Sequence, residues 1–136
     1  MHADTNRSLL RTTFTVNAVS SGACGLAFLV AGHRLGPLFG LAPLVMWVLG
    51  AGLVGFAAHL ASVVRQPFIT RGQALYFAVL DSVYVAASVA VLLGWPQLMS
   101  GLGRLFFAAL ADVVALFAVA EFVGYRRLSG QVAVEG

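Results

Sequence analysis

LVMWVLGAGLVGFAAHLASVV, residues 44–64, runs without an acid, a lysine or an arginine and is closed by Arg65-Gln66-Pro67. As a helix rising about 1.5 Å per residue it would span about 30 Å, the thickness of the hydrocarbon layer of a bilayer. Working outward, eight arginines and no lysine punctuate the rest of the chain. Arg11 to Arg34, Arg34 to Arg65, Arg71 to Arg104 and Arg104 to Arg126 bracket four apolar stretches, each long enough to cross a membrane in about 20 helical residues. The expected fold is an all-α membrane protein, four transmembrane helices in an up-down bundle forming a single domain over residues 1–136.

Composition excludes the alternatives. Hydrophobic residues make up 60% of the chain and charged residues 10%, against roughly 45 to 50% and 25% in soluble domains. So few charges could not cover so much apolar side chain in water. The net charge of +3 and pI near 9.8 would suit a nucleic-acid binder. The arginines, however, are scattered beside hydrophobic runs, where they read as headgroup contacts and topology signals, so nucleic acid is not an expected partner. The single cysteine, Cys24, closes no intrachain disulfide and builds no metal cluster. Arg7 and Arg11 before an apolar run resemble a cleaved leader, but Asn17, Ser20 and Ser21 interrupt that run, and Ser21-Gly22-Ala23-Cys24 lacks the leucine-like residue of a lipoprotein box.

Turn chemistry places the spans. Span 1 runs over residues 12–31 and is expected to stop at Gly32-His33-Arg34; Gly36-Pro37-Leu38-Phe39-Gly40 reads as a turn, with Pro43 opening span 2 over residues 44–64. Span 3 covers residues 73–94 and closes at Trp95-Pro96; span 4 covers residues 105–125, followed by a short, polar, mobile tail. Trp47, Trp95, Tyr76 and Tyr125 sit near span ends, where amphipathic rings prefer the interface. Arg7, Arg11, Arg65, Arg71, Arg126 and Arg127 share one side, against Arg34 and Arg104 on the other. The excess predicts both termini and the middle loop in the cytoplasm.

A faint repeat at an offset of 64 residues lays Asn17-Ala18-Val19 over Asp81-Ser82-Val83. Two spans per half would make any duplication parallel, although apolar helices also resemble one another by composition alone. Leu80-Asp81-Ser82-Val83-Tyr84-Val85-Ala86-Ala87-Ser88 and Ala120-Glu121-Phe122-Val123-Gly124-Tyr125-Arg126-Arg127, with Asn17, Ser21, Gly22 and Gly25 of span 1, form a pattern. It resembles a group of small, uncharacterised bacterial inner-membrane proteins with four spans. The resemblance implies a location and a fold and, since that group has no assigned activity, no chemistry.

The remaining signal is polar side chains at membrane depth, each costing about 2.5 to 3.5 kcal/mol when charged. Counting about 1.5 Å per residue inward from the arginines puts Asp81 and Asp112 near mid-membrane, and Asn17, His59, Tyr76 and Glu121 nearer the cytoplasmic side. Two tiers are expected: a central one of Asp81 and Asp112 with Ser20, Ser21, Tyr84 and Ser88, and a cytoplasmic one of Asn17, His59, Glu121 and Tyr76. Helical spacing makes stripes of Thr13, Asn17, Ser20, Ser21 and Cys24 on span 1, of Gly52, Gly55, His59 and Ser62 on span 2, and of Asp81, Tyr84 and Ser88 on span 3. All three are expected to face inward. Asp112 and Glu121, nine positions apart, point to opposite sides of span 4; Ala108 and Ala115 beside Asp112 favour that acid for the interior, leaving Glu121 to point outward, where it would snorkel to the interface, contact a second protein or pair with His59.

No catalytic set, cofactor or metal site is expected. Gly50-Ala51-Gly52-Leu53-Val54-Gly55 spells a dinucleotide fingerprint but lies inside a span, with no strand before it. His33 and His59 sit at different depths, unsuited to holding a haem between them. Two readings stand: a non-catalytic bundle that associates with lipid, itself or another membrane protein, which predicts a solid interior, and a small proton- or cation-coupled transporter or channel using Asp81 and Asp112, which predicts a cavity reaching the carboxyls.

Overall fold

The computed structural model describes residues 2–134, and among these there are four long helices and no strand. Helix α1 is His2–Phe39, α2 is Pro43–Val64, α3 is Arg71–Gly94 and α4 is Gly101–Val134, with a short 3₁₀ turn at Pro96–Leu98. All four are long and apolar enough to cross a membrane. Short links make each helix antiparallel to the next, so both termini lie at one end of the bundle, the terminal end. Helix α1 packs between α2 and α4, and α3 packs on α4. The surface is inverted relative to a soluble protein: Val30 is 75% exposed, Leu93 80% and Leu116 70%, side chains that only lipid covers without penalty. The chain is a multi-pass membrane protein.

The close pairing of α1 with α2 depends on glycine. A Cβ on Gly25 would lie 2.8 Å from the Gly50 carbonyl oxygen, and one on Gly50 would lie 2.7 Å from that of Gly25. Both are backbone atoms that cannot step aside, so the helices touch where neither has a side chain. Gly50→Ala is therefore expected to lower stability by about 1–3 kcal/mol in reversible detergent unfolding, whereas Gly52→Ala, with nothing within 4 Å of its Cβ, is expected to leave the midpoint unchanged. The letters of the nucleotide fingerprint thus divide between a helix seam and positions with open space beside them.

Three expectations are revised. Helix α1 does not stop at Gly32-His33-Arg34: Gly32 is buried against Met46 and Trp47 of α2, and that packing carries the helix on to Phe39. It ends where Gly40 takes φ +74°, with Leu41 N–H bonded to the Gly36 carbonyl and Gly40 N–H to that of Pro37, a left-handed glycine cap. The tail is helical, since α4 continues to Val134. The Gly52, Gly55, His59 and Ser62 stripe is exposed at every position and stays out of the seam with α1, which uses Gly50 and Ala57 instead.

Apolar side chains form two separate plugs. Leu10, Phe14, Leu60, Val63, Ile69, Ala74 and Phe77 fill the terminal end. Phe28, Phe39, Met46 and Phe107 fill the other. The polar residues of interest lie between them.

Candidate functional site

One amide joins two acids. The Asn17 side chain on α1 donates from Nδ2 to Asp81 Oδ2 on α3 at 2.8 Å and to Glu121 Oε1 on α4 at 3.2 Å. Asn17 and Glu121 have no exposed surface and Asp81 has 4%. Ser21, one turn along α1, donates to Asn17 Oδ1 at 3.1 Å, which uses the amide's acceptor and fixes its donors toward the carboxyls. The second Glu121 oxygen, Oε2, is buried with no partner in the protein. The NH₂ group standing between the acids presents a hydrogen to each carboxyl.

Local sequence explains the meeting. Gly103, Phe107, Ala111, Ala118, Glu121 and Gly124 are the buried positions of α4, a helical stripe of mostly small residues that presses Glu121 into the bundle. Leu10 of α1 lies over Gly124, where any Cβ would collide with it. The upright depth count separates Asp81 from Glu121, yet helical side chains lean toward the N-terminus of their own helix. Since α3 runs inward from the terminal end and α4 runs back toward it, Asp81 leans down while Glu121 leans up, and the gap closes.

The two expected tiers are therefore replaced by one network. Asn17 and Glu121 join Asp81, while Asp112, expected inside, lies on the outer face of α4. The reason is the register of the small stripe: Ala111, not Ala108 or Ala115, faces the core. His59 and Tyr76 are exposed and pair with each other, ring centroids 5.8 Å apart and edge to face, so His59 is not the partner of Glu121. An acid about 16 Å along α4, facing lipid, is costly on insertion scales. Asp112→Leu is expected to favour insertion by about 3 kcal/mol in a translocon assay; loss of a cross-linked oligomer in the same variant would show that the carboxyl bonds a neighbouring chain.

A cavity of about 320 Å³ opens beside the network, lined from all four helices. Ser20, Ser21, Cys24 and Phe28 come from α1; Gly52, Leu53 and Phe56 from α2; Leu80, Asp81 and Tyr84 from α3; Phe107, Leu110, Val114 and Phe117 from α4. Its rim includes Val48 and Val113, which are 63% and 44% exposed, so it opens sideways through the bundle wall. The opening follows from the packing order, since α2 and α3 meet mainly through rings at the terminal end, Phe56 and His59 against Tyr76 and Phe77. Of the six residues expected in a central polar site, Asp81, Ser20, Ser21 and Tyr84 line the cavity, Ser88 lies one turn beyond Tyr84 outside it, and Asp112 is elsewhere. Asp81 is the one acid in the lining, and it also belongs to the buried network.

The arginines of the terminal end do more than mark topology. Arg11 donates to the backbone carbonyls of Val64, Gln66 and Pro67, satisfying the open end of α2 with a cation placed where the helix dipole favours one. Arg71 donates to the Tyr125 hydroxyl at 2.7 Å and lies 4.5 Å over its ring, clasping α3 to α4. Thr70 and Gln73 cap α3 reciprocally. At the opposite end, Ser100 ties the start of α4 to the end of α1 by donating from its N–H to Phe39 O and from Oγ to Leu38 O. Both ends are closed by specific bonds, and the cavity opens between them.

Fold and site together define a small four-helix multi-pass membrane protein with an amide-bridged acid pair at the wall of a lateral cavity. Comparisons with protein-family models, with curated proteins and with solved structures found no match.

Proposed function

We propose that the protein is a non-catalytic, proton-linked carrier of the bacterial inner membrane, with its termini in the cytoplasm, in which Asp81 and Glu121, bridged by the Asn17 amide, hold the exchangeable proton. The observation that carries this reading is the double membership of Asp81 in a buried network and a cavity wall. Two negative charges in an apolar bundle, with two amide hydrogens between them and, among the described residues, no cation at ion-pair distance, are far costlier than one. With two protons the pair is neutral and the site is empty. Losing one leaves a single negative charge facing the cavity, which a monovalent cation neutralises. Proton and cation thus compete for one charge, and the interior stays near neutral in either state, as exchange across a hydrocarbon layer requires.

The test is the purified protein in proteoliposomes with a trapped pH dye and a panel of cations. Proton efflux driven by an inward cation gradient supports the reading; a silent dye for every solute sinks it. A second reading is favoured by the same network seen as a tie: one amide pins α1, α3 and α4 at a single point, as in a structural or accessory component that associates with lipid, another copy or a membrane protein. The exposed Asp112 supports association of this kind. On that reading the network variants lose stability alone.

A further inference from the structure

We propose that the lateral cavity binds a small amphiphilic organic monocation, a quaternary or protonated amine carrying an apolar group, with Asp81 as its counter-charge. This rests on the carrier reading and names its substrate class. At about 320 Å³ the cavity holds the liquid volume of about ten waters, hence a molecule of about ten to fifteen non-hydrogen atoms. Its lining is aromatic and aliphatic apart from the Ser20 and Ser21 hydroxyls, Cys24, the Tyr84 hydroxyl and Asp81. A sugar or an amino acid would leave most of its polar groups unpaired there. An anion would meet Asp81, with Glu121 behind it. A bare metal ion would find one carboxylate and few neutral oxygens in place of its water shell. A diffuse organic charge is weakly hydrated, gains from the faces of Phe56, Phe107 and Tyr84, and needs only one carboxylate. The rim at Val48 and Val113 opens toward lipid, where an amphiphile already concentrates.

Cys24, the single cysteine, lines the same cavity and reports on it. The probe is benzyltrimethylammonium, with neopentylbenzene as its uncharged isostere and benzenesulfonate as an anionic control. In the full-length protein, saturating benzyltrimethylammonium is expected to slow alkylation of Cys24 by N-ethylmaleimide at least about tenfold, corresponding to about 1.4 kcal/mol of protection. The isostere and the anion are expected to protect little. Asp81→Asn, which retains an acceptor for Asn17, is expected to abolish the protection. Gly52→Phe, which fills the cavity from a position with open space around it and leaves the acids untouched, is expected to abolish benzyltrimethylammonium binding in calorimetry. Equal protection by neopentylbenzene, protection that survives in Asp81→Asn, or no protection by the cation overturns the proposal. The two readings fail separately: because a quaternary ammonium carries no proton to release, binding without proton release sinks the carrier and leaves the site, whereas proton exchange with metal cations alone sinks the site and leaves the carrier.

Discussion

Asp81→Asn is expected to give a folded protein in which cation-driven proton movement falls at least a hundredfold in proteoliposomes. Folding survives because an asparagine oxygen at position 81 accepts the Asn17 amide where Asp81 Oδ2 now does, at 2.8 Å. Function is lost because the charge for which proton and cation compete has gone. A charge-assisted contact is stronger than a neutral one, up to about 3 kcal/mol, which converts to about a hundredfold. Glu121→Gln is the contrasting variant. Glu121 does not line the cavity, so the cation still meets Asp81 and binding persists, while proton release on binding is reduced because the second acid that shares the site is gone. A pair in which both variants behave alike, losing stability and nothing else, would favour the structural tie.

Asn17→Leu is expected to be the most destabilising single substitution in the bundle, by about 3–5 kcal/mol in detergent unfolding. The leucine keeps the branching and heavy-atom count of asparagine but donates nothing, and both carboxyls are left buried without their shared donor. Glu121 Oε2 already lacks a partner, so the glutamate would then lose its one amide donor. Replacing all three residues by leucine is expected to restore most of the loss, since an apolar cluster at a buried site needs no hydrogen bonds. That triple variant, stable yet inactive in the dye assay, separates the role of the network in holding helices from its role in moving protons. A single Asn17→Leu that unfolds no more easily than the parent would contradict the geometry.

The spans were legible because lipid imposes a length and forbids charge: residues 44–64 and Arg65 mark α2 to within a residue. Pro43 at its start and Trp95-Pro96 after α3 were equally readable, because proline chemistry is local. The ends of α1 and α4 were not: Gly32 is helical because Trp47 and Met46 fill the space beside it, a contact between residues distant in the chain. The partnership of Asn17 with Asp81 left one trace, since the two are equivalent positions at the 64-residue offset and they bond directly. Glu121 was signalled too, by the spacing of Gly103, Ala111, Ala118 and Gly124, but Ala108 and Ala115 offered Asp112 a rival stripe of the same composition.

What the sequence determined by itself is the set of helices, their antiparallel order and the presence of acids at membrane depth, because these follow from hydrophobicity, rise per residue and turn residues along one stretch of chain. Which acid faces inward, which glycine makes the seam and where the interior is left open were decided by tertiary structure. Around a helix in lipid every face is apolar, so periodicity ranks the faces weakly. The choice falls to contacts between helices: Gly25 against Gly50, Leu10 over Gly124, and one amide held between two carboxyls.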